Sequence, residues 1–132
     1  MRDLKFRAWD TVDKVMTEVD IFNFMTGTVS LFEPGSGVVG YNRERETKQI
    51  ILLQYTGLKD KNGVDLFEDD ILESDSGGRY RVVWNSCVYG PGWEMKFLPD
   101  YGGDFNTFAD YPAYEMVIIG NAWEHPELLS AE

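Results

Sequence analysis

The apolar residues of this sequence arrive in short runs, and each run is cut by glycine, asparagine-glycine or a polar cluster before a long helical pattern can build. Ile50-Ile51-Leu52-Leu53 and Met116-Val117-Ile118-Ile119 are the most continuous of them, far short of the roughly 20 residues a bilayer-crossing helix needs. No long amphipathic helix and no internal repeat can be read in the chain. Short alternating runs punctuated by turn residues specify a mainly β architecture.

The runs fall in order. Asp3 to Trp9 alternates with the period of a strand; Asp10-Thr11-Val12-Asp13-Lys14 supplies a turn, and Val15-Met16-Thr17 returns as a hairpin arm. Asp20 to Met25 alternates again, and Thr26-Gly27-Thr28 leads into Val29-Ser30-Leu31-Phe32. From Glu33 to Lys48 the chain turns to Gly, Ser and charge, which predicts a loop or internal boundary. Ile50 to Tyr55 is β-rich, and Lys59-Asp60-Lys61-Asn62-Gly63 ends in the dipeptide that most readily takes a tight turn. Ile71-Leu72-Glu73 and Arg79 to Trp84 flank Ser76-Gly77-Gly78, an arrangement that opens many small barrels. Trp93, Met95 and Phe97 share one face, predicted to be core, with Glu94 and Lys96 on the other. Pro99 to Pro112 reads as an ordered loop, Glu115 to Ile119 as a last strand, and Pro126 as the first turn of a short terminal helix. The expectation is a single domain over 1–132, with an N-terminal β subdomain (1–48) and a barrel-like C-terminal subdomain (49–132).

With 12 Lys+Arg against 23 Asp+Glu, the formal charge is -11. Affinity for nucleic acid comes largely from cations displacing counterions, so direct nucleic-acid binding is not expected. Arg43-Glu44-Arg45 and Arg79-Tyr80-Arg81 are the local exceptions, and both read better as solvated strand faces. The acidic surface suits solubility, or a basic partner. Met1 to Phe6 carries no apolar leader pattern, so a cytoplasmic location and no membrane association are expected.

Candidate chemistry is sparse. Cys87 is the only cysteine and His125 the only histidine, and neither has a neighbour in sequence that would activate it. Glu68, Asp69, Asp70, Glu73 and Asp75 form an acidic cluster, but the interleaved Ile71 and Leu72 break any calcium-loop spacing. Asp60 to Asp65 comes nearer, yet it lacks the later bidentate Glu and is already explained as a turn. No phosphate loop, dinucleotide fingerprint or nucleophile elbow is present. No catalytic residue, metal site or cofactor is therefore assigned.

Several separated motifs, in order, resemble the YopX protein family of phages and prophages: Lys5-Phe6-Arg7-Ala8-Trp9-Asp10, Gln54 to Gly63 with Leu66 to Ile71, Val82-Val83-Trp84, and Ile119 to Leu128. Asp69 stands where that family usually has Gly, and His125 where it usually has Asn. The resemblance implies a mostly β protein with a small SH3-like barrel in its second half and no transferable active site. It also implies a phage or prophage protein that forms oligomers. The matching positions Arg7, Trp9, Asp10, Tyr55, Thr56, Gly57, Asp60, Asn62, Gly63, Asp70, Ile71, Gly120, Asn121 and Pro126 are expected to be structural. The function expected is non-enzymatic binding of itself, or of a host or phage protein, through a surface that includes Trp93, Phe105, Phe108, Tyr111 and Tyr114. Two alternatives are carried: an acidic inhibitor or nucleic-acid mimic aimed at a host protein, and a metal-dependent enzyme of nucleic-acid metabolism using Asp69 and Asp70.

Overall fold

A computed structural model describes residues 5–32, 42–87, 90–98, 105–108 and 112–129. Its regular structure is almost all antiparallel strand, as the short runs require. Two units are distinguished, Leu4–Gln54 and Tyr55–Glu132, and each builds its own core.

In the first unit β1 (Phe6–Asp10), β2 (Val15–Asn23), β3 (Thr28–Phe32) and β4 (Asn42–Glu46) are joined by the first half of β5 (Ile50–Lys59). β1 is central, pairing Ala8 with Thr17 of β2 and with Leu52 of β5. A bulge between Val19 and Ile21 shifts β2 against β3 and brings Phe22 opposite Val29. Ala8, Val29, Leu31 and Ile50 form the buried centre, covered by Val19, Phe22 and Leu52.

β4 overturns the expected loop over Glu33 to Lys48. Arg43 pairs with Leu31 and Arg45 with Val29, and a 3-10 turn, Thr47–Gln49, follows. The strand has no apolar alternation because its inward residue is an arginine. Residues 33–41 of that stretch lie outside the described residues.

The second unit holds the rest of β5, β6 (Asp65–Phe67), β7 (Asp70–Glu73), β8 (Arg79–Cys87), β9 (Gly90–Leu98), β10 (Phe105–Thr107) and β11 (Val117–Asn121). Its five-stranded sheet runs β10-β9-β8-β7-β11, and Tyr55 of β5 pairs with Phe67 of β6. Leu66, Leu72, Tyr80, Val82, Met95, Ala113 and Met116 form its core. On the face assigned to core in β9, Met95 is buried and Trp93 partly so, but Phe97 near the strand's end is 46% exposed.

Two expectations need correction. Among the described residues the sheet is open, with β10 and β11 at its edges, and does not close as an SH3-like barrel. The terminal helix is only a 3-10 turn, Pro126–Leu129. Pro126 can begin a helical turn, but the described chain beyond it is too short to add α-helical hydrogen bonds.

Candidate functional site

The acids that stand out in the sequence sit where strands end, and their oxygens are occupied. Asp10 closes β1, is fully buried, and accepts the Val12 amide at 2.9 Å and the Asp13 amide at 3.4 Å. The Arg45 guanidinium reaches it from β4 at 3.1 Å and extends a second nitrogen to Asp13 at 2.9 Å. Burial pushes the Asp10 carboxyl up, but the Val12 amide, the Arg45 guanidinium and the Asp13 amide outweigh it and hold the group below its ordinary value of 3.8. Arg45, expected on a solvated face, is instead the charge partner of a buried acid.

Asp60 performs a similar task in the second unit with backbone donors alone. One carboxylate oxygen accepts the amides of Asn62 and Val64, both at 2.9 Å, and the other accepts the Ile118 amide of β11 at 3.0 Å. The turn so fixed places Gly63 at φ 79°, the conformation that an Asn-Gly pair permits. Thr56 and Gly57 serve the neighbouring bend: the Thr56 hydroxyl donates to the Leu66 carbonyl at 2.8 Å, and Gly57 has φ 88°.

Asp69 and Asp70 make the elbow between β6 and β7. Asp69 takes φ 66°, which explains why glycine is the usual residue there in the family it resembles; aspartate is among the few side chains that tolerate this region. Its carboxylate is bonded by the Arg81 guanidinium at 3.1 Å and by the Trp123 indole N–H at 2.9 Å. Asp70, essentially buried, accepts the Phe67 amide at 2.8 Å. Asn121 caps the closing turn through bonds from the Trp123 and Glu124 amides at 3.0 and 2.8 Å. His125 Nδ1 accepts the Asn121 amide at 3.2 Å, and a Cβ on Gly120 would lie 2.7 Å from that nitrogen. Arg7 and Trp9 lie on β1, Ile71 is fully buried on β7, Tyr55 stacks against Phe67 at 5.6 Å, and Pro126 opens the last turn. Among the described residues, no three His, Cys, Asp or Glu side chains gather as a metal-holding group.

The aromatic surface predicted for contacts is scattered. Trp93 and Phe108 pack against the core of the second unit, Tyr114 is 68% exposed, and Trp84 stands against Trp93 with ring centres 4.9 Å apart. Phe105 lies on β10, and its side chain falls outside the described residues, as does Tyr111 altogether.

Sequence reasoning missed the tip of the β2–β3 hairpin, where Phe24 is 83% and Met25 95% exposed. The turn beneath them is well held. The Asn23 side chain accepts the Met25 and Thr26 amides at 3.0 and 3.2 Å, the Gly27 amide donates to the Asn23 carbonyl at 3.0 Å, and the Thr47 amide donates to the Gly27 carbonyl at 2.9 Å. The available signal was an apolar pair directly before Thr26-Gly27, inside the turn rather than before it.

The family model described as YopX protein matches residues 5–130. The crystal structure of protein EF1440 from Enterococcus faecalis is similar over 98% of this chain and 100% of its own, with 28% identity and a TM-score of 0.67. No curated protein matches the chain. No helix among the described residues is long and apolar enough to cross a membrane.

Proposed function

We propose that this chain, which belongs to the YopX protein family, is a non-enzymatic accessory protein of a phage or prophage that works by protein contact. The observation that carries this reading is the β2–β3 tip. Two large apolar side chains are kept in water on a turn held by hydrogen bonds, and a preorganised apolar anchor loses little freedom when a partner covers it. The motif acids, by contrast, are engaged in holding turns and strands. That leaves the exposed side chains as the natural contact points, with a second copy of the chain or another phage or host protein as the partner.

The test compares wild type with the Phe24→Ser/Met25→Ser double variant by light scattering and by capture of bound proteins. The expected result is a change in assembly state or loss of a stoichiometric partner while folding is kept. An unchanged assembly state and an unchanged partner set would overturn the reading. The charge of -11 favours a second reading, an acidic inhibitor of a nucleic-acid-binding host protein. Arg45, Arg79 and Arg81 are each already bonded to a carboxylate, so little of their charge offsets the acidic surface. A complex that dissociates as salt rises would favour that reading over an apolar contact.

A further inference from the structure

We infer that the second unit carries a groove for a basic, arginine-bearing segment of a partner protein, an inference that rests on the binding reading above and names the chemistry of one contact. The groove is an open depression of about 570 Å³ whose lining includes Lys61, Asp75, Pro112, Tyr114, Glu115 and Met116. Its walls are fixed. The Lys61 amide donates to the Met116 carbonyl at 2.8 Å, Asp60 ties the Lys61 turn to Ile118, and the Ser74 turn is closed by bonds between Ser74, Gly77 and Gly78.

Three features select a cation. Tyr114, 68% exposed, offers an aromatic face on which a guanidinium can stack. Asp75 and Glu115 are exposed carboxylates on the same rim. The lysine on that rim is held only by an exposed pair to Asp75 at 3.7 Å, and exposed pairs of this kind contribute little. An incoming arginine can displace Lys61 from Asp75 and bond the carboxylate through its planar fork, which an ammonium cannot reproduce. The net charge of -11 adds attraction at long range and makes a second copy of this acidic chain a poor occupant.

The test is a titration of the full-length protein with a short blocked peptide of alternating glycine and arginine, followed by amide NMR shifts, with a glutamate counterpart as control. The expected result is saturable shifts confined to the amides around Lys61, Asp75 and Tyr114–Met116 with the arginine peptide alone, weakening as salt is raised. Tyr114→Ala should weaken binding about fivefold and Glu115→Gln about threefold. Lys61→Ala should tighten it about threefold by removing the competing cation. All three positions are exposed, and superimposable spectra elsewhere would establish that the fold is retained. Absence of saturable shifts, equal binding of the glutamate peptide, or weaker binding in Lys61→Ala would overturn the inference. The β2–β3 tip variant reads the broader binding proposal separately, because its assembly state is measured without the peptide.

Discussion

The two units fasten their strands with the same residue type in different ways. In the first, one buried aspartate, Asp10, gathers a turn and an edge strand at once, and its side-chain partner Arg45 lies 35 residues away. In the second, the work is divided: Asp60 takes backbone amides, Asp69 takes Arg81 and Trp123, Asp70 takes the Phe67 amide, and Asn121 caps the closing turn. A single concentrated latch makes the first unit sensitive to one change and to acid. Distributed latches make the second tolerant of any one loss. The difference shows how short strands without a barrel's closure can be held in register by polar groups at their ends.

The largest effect is expected at the concentrated latch. Asp10→Ala strands the Arg45 charge and uncaps the turn, and should cost about 3 kcal/mol in urea unfolding. Because the folded-state carboxyl is held below 3.8, the stability it adds is present above that pH and is lost as pH falls through the lower, folded-state value. The gap between wild type and Asp10→Asn should therefore narrow as the solution is acidified below 3.8. A gap constant with pH would break the contrast between the units.

At the elbow of the second unit, Asp69→Ala should cost about 2 kcal/mol, since it loses its charged bonds and keeps a positive φ. Asp69→Gly should recover about 1 kcal/mol of that by relieving the backbone. Thermal unfolding of both variants separates the two contributions, and equal loss in both would mean that the φ of 66° carries no strain. Gly120→Ala comes next. Its Cβ would meet His125 Nδ1 at 2.7 Å and Leu128 Cδ1 at 3.0 Å, a local overpacking worth about 1.5 kcal/mol, to be read by the same melt. The smallest effect on stability belongs to Phe24→Ser/Met25→Ser, within about 0.5 kcal/mol of wild type, although this variant should change association most.

Much of this was legible in the sequence, for identifiable reasons. Alternation marked β1, β3, β5, β8 and β9, and Asn62-Gly63 marked the turn that Asp60 holds. β4 was hidden because its buried face is Arg45, and the aspartate that makes an inward arginine acceptable is distant in sequence. The barrel expectation failed because Ser76-Gly77-Gly78 between strands predicts a hairpin, whereas closure depends on pairing between edges that no local pattern encodes. The exposed tip escaped notice because apolar residues beside a turn look like the end of a strand; only the hydrogen bonds under Asn23 and Gly27 reveal that Phe24 and Met25 lie beyond it. The grooved rim of Lys61, Asp75 and Tyr114 joins three separate stretches, and spacing along the chain could not assemble it.

The central claim is that the recurrent acids hold the fold and leave recognition to the exposed side chains, and urea unfolding of Asp60→Asn, followed by tryptophan fluorescence, tests it most directly. An amide at this position turns one acceptor into a donor against the backbone amides it now receives. The account predicts a lower urea midpoint with an unchanged slope, by about 2 kcal/mol. A midpoint equal to that of wild type would contradict it, because the Asp60 carboxylate would then contribute nothing to the fold.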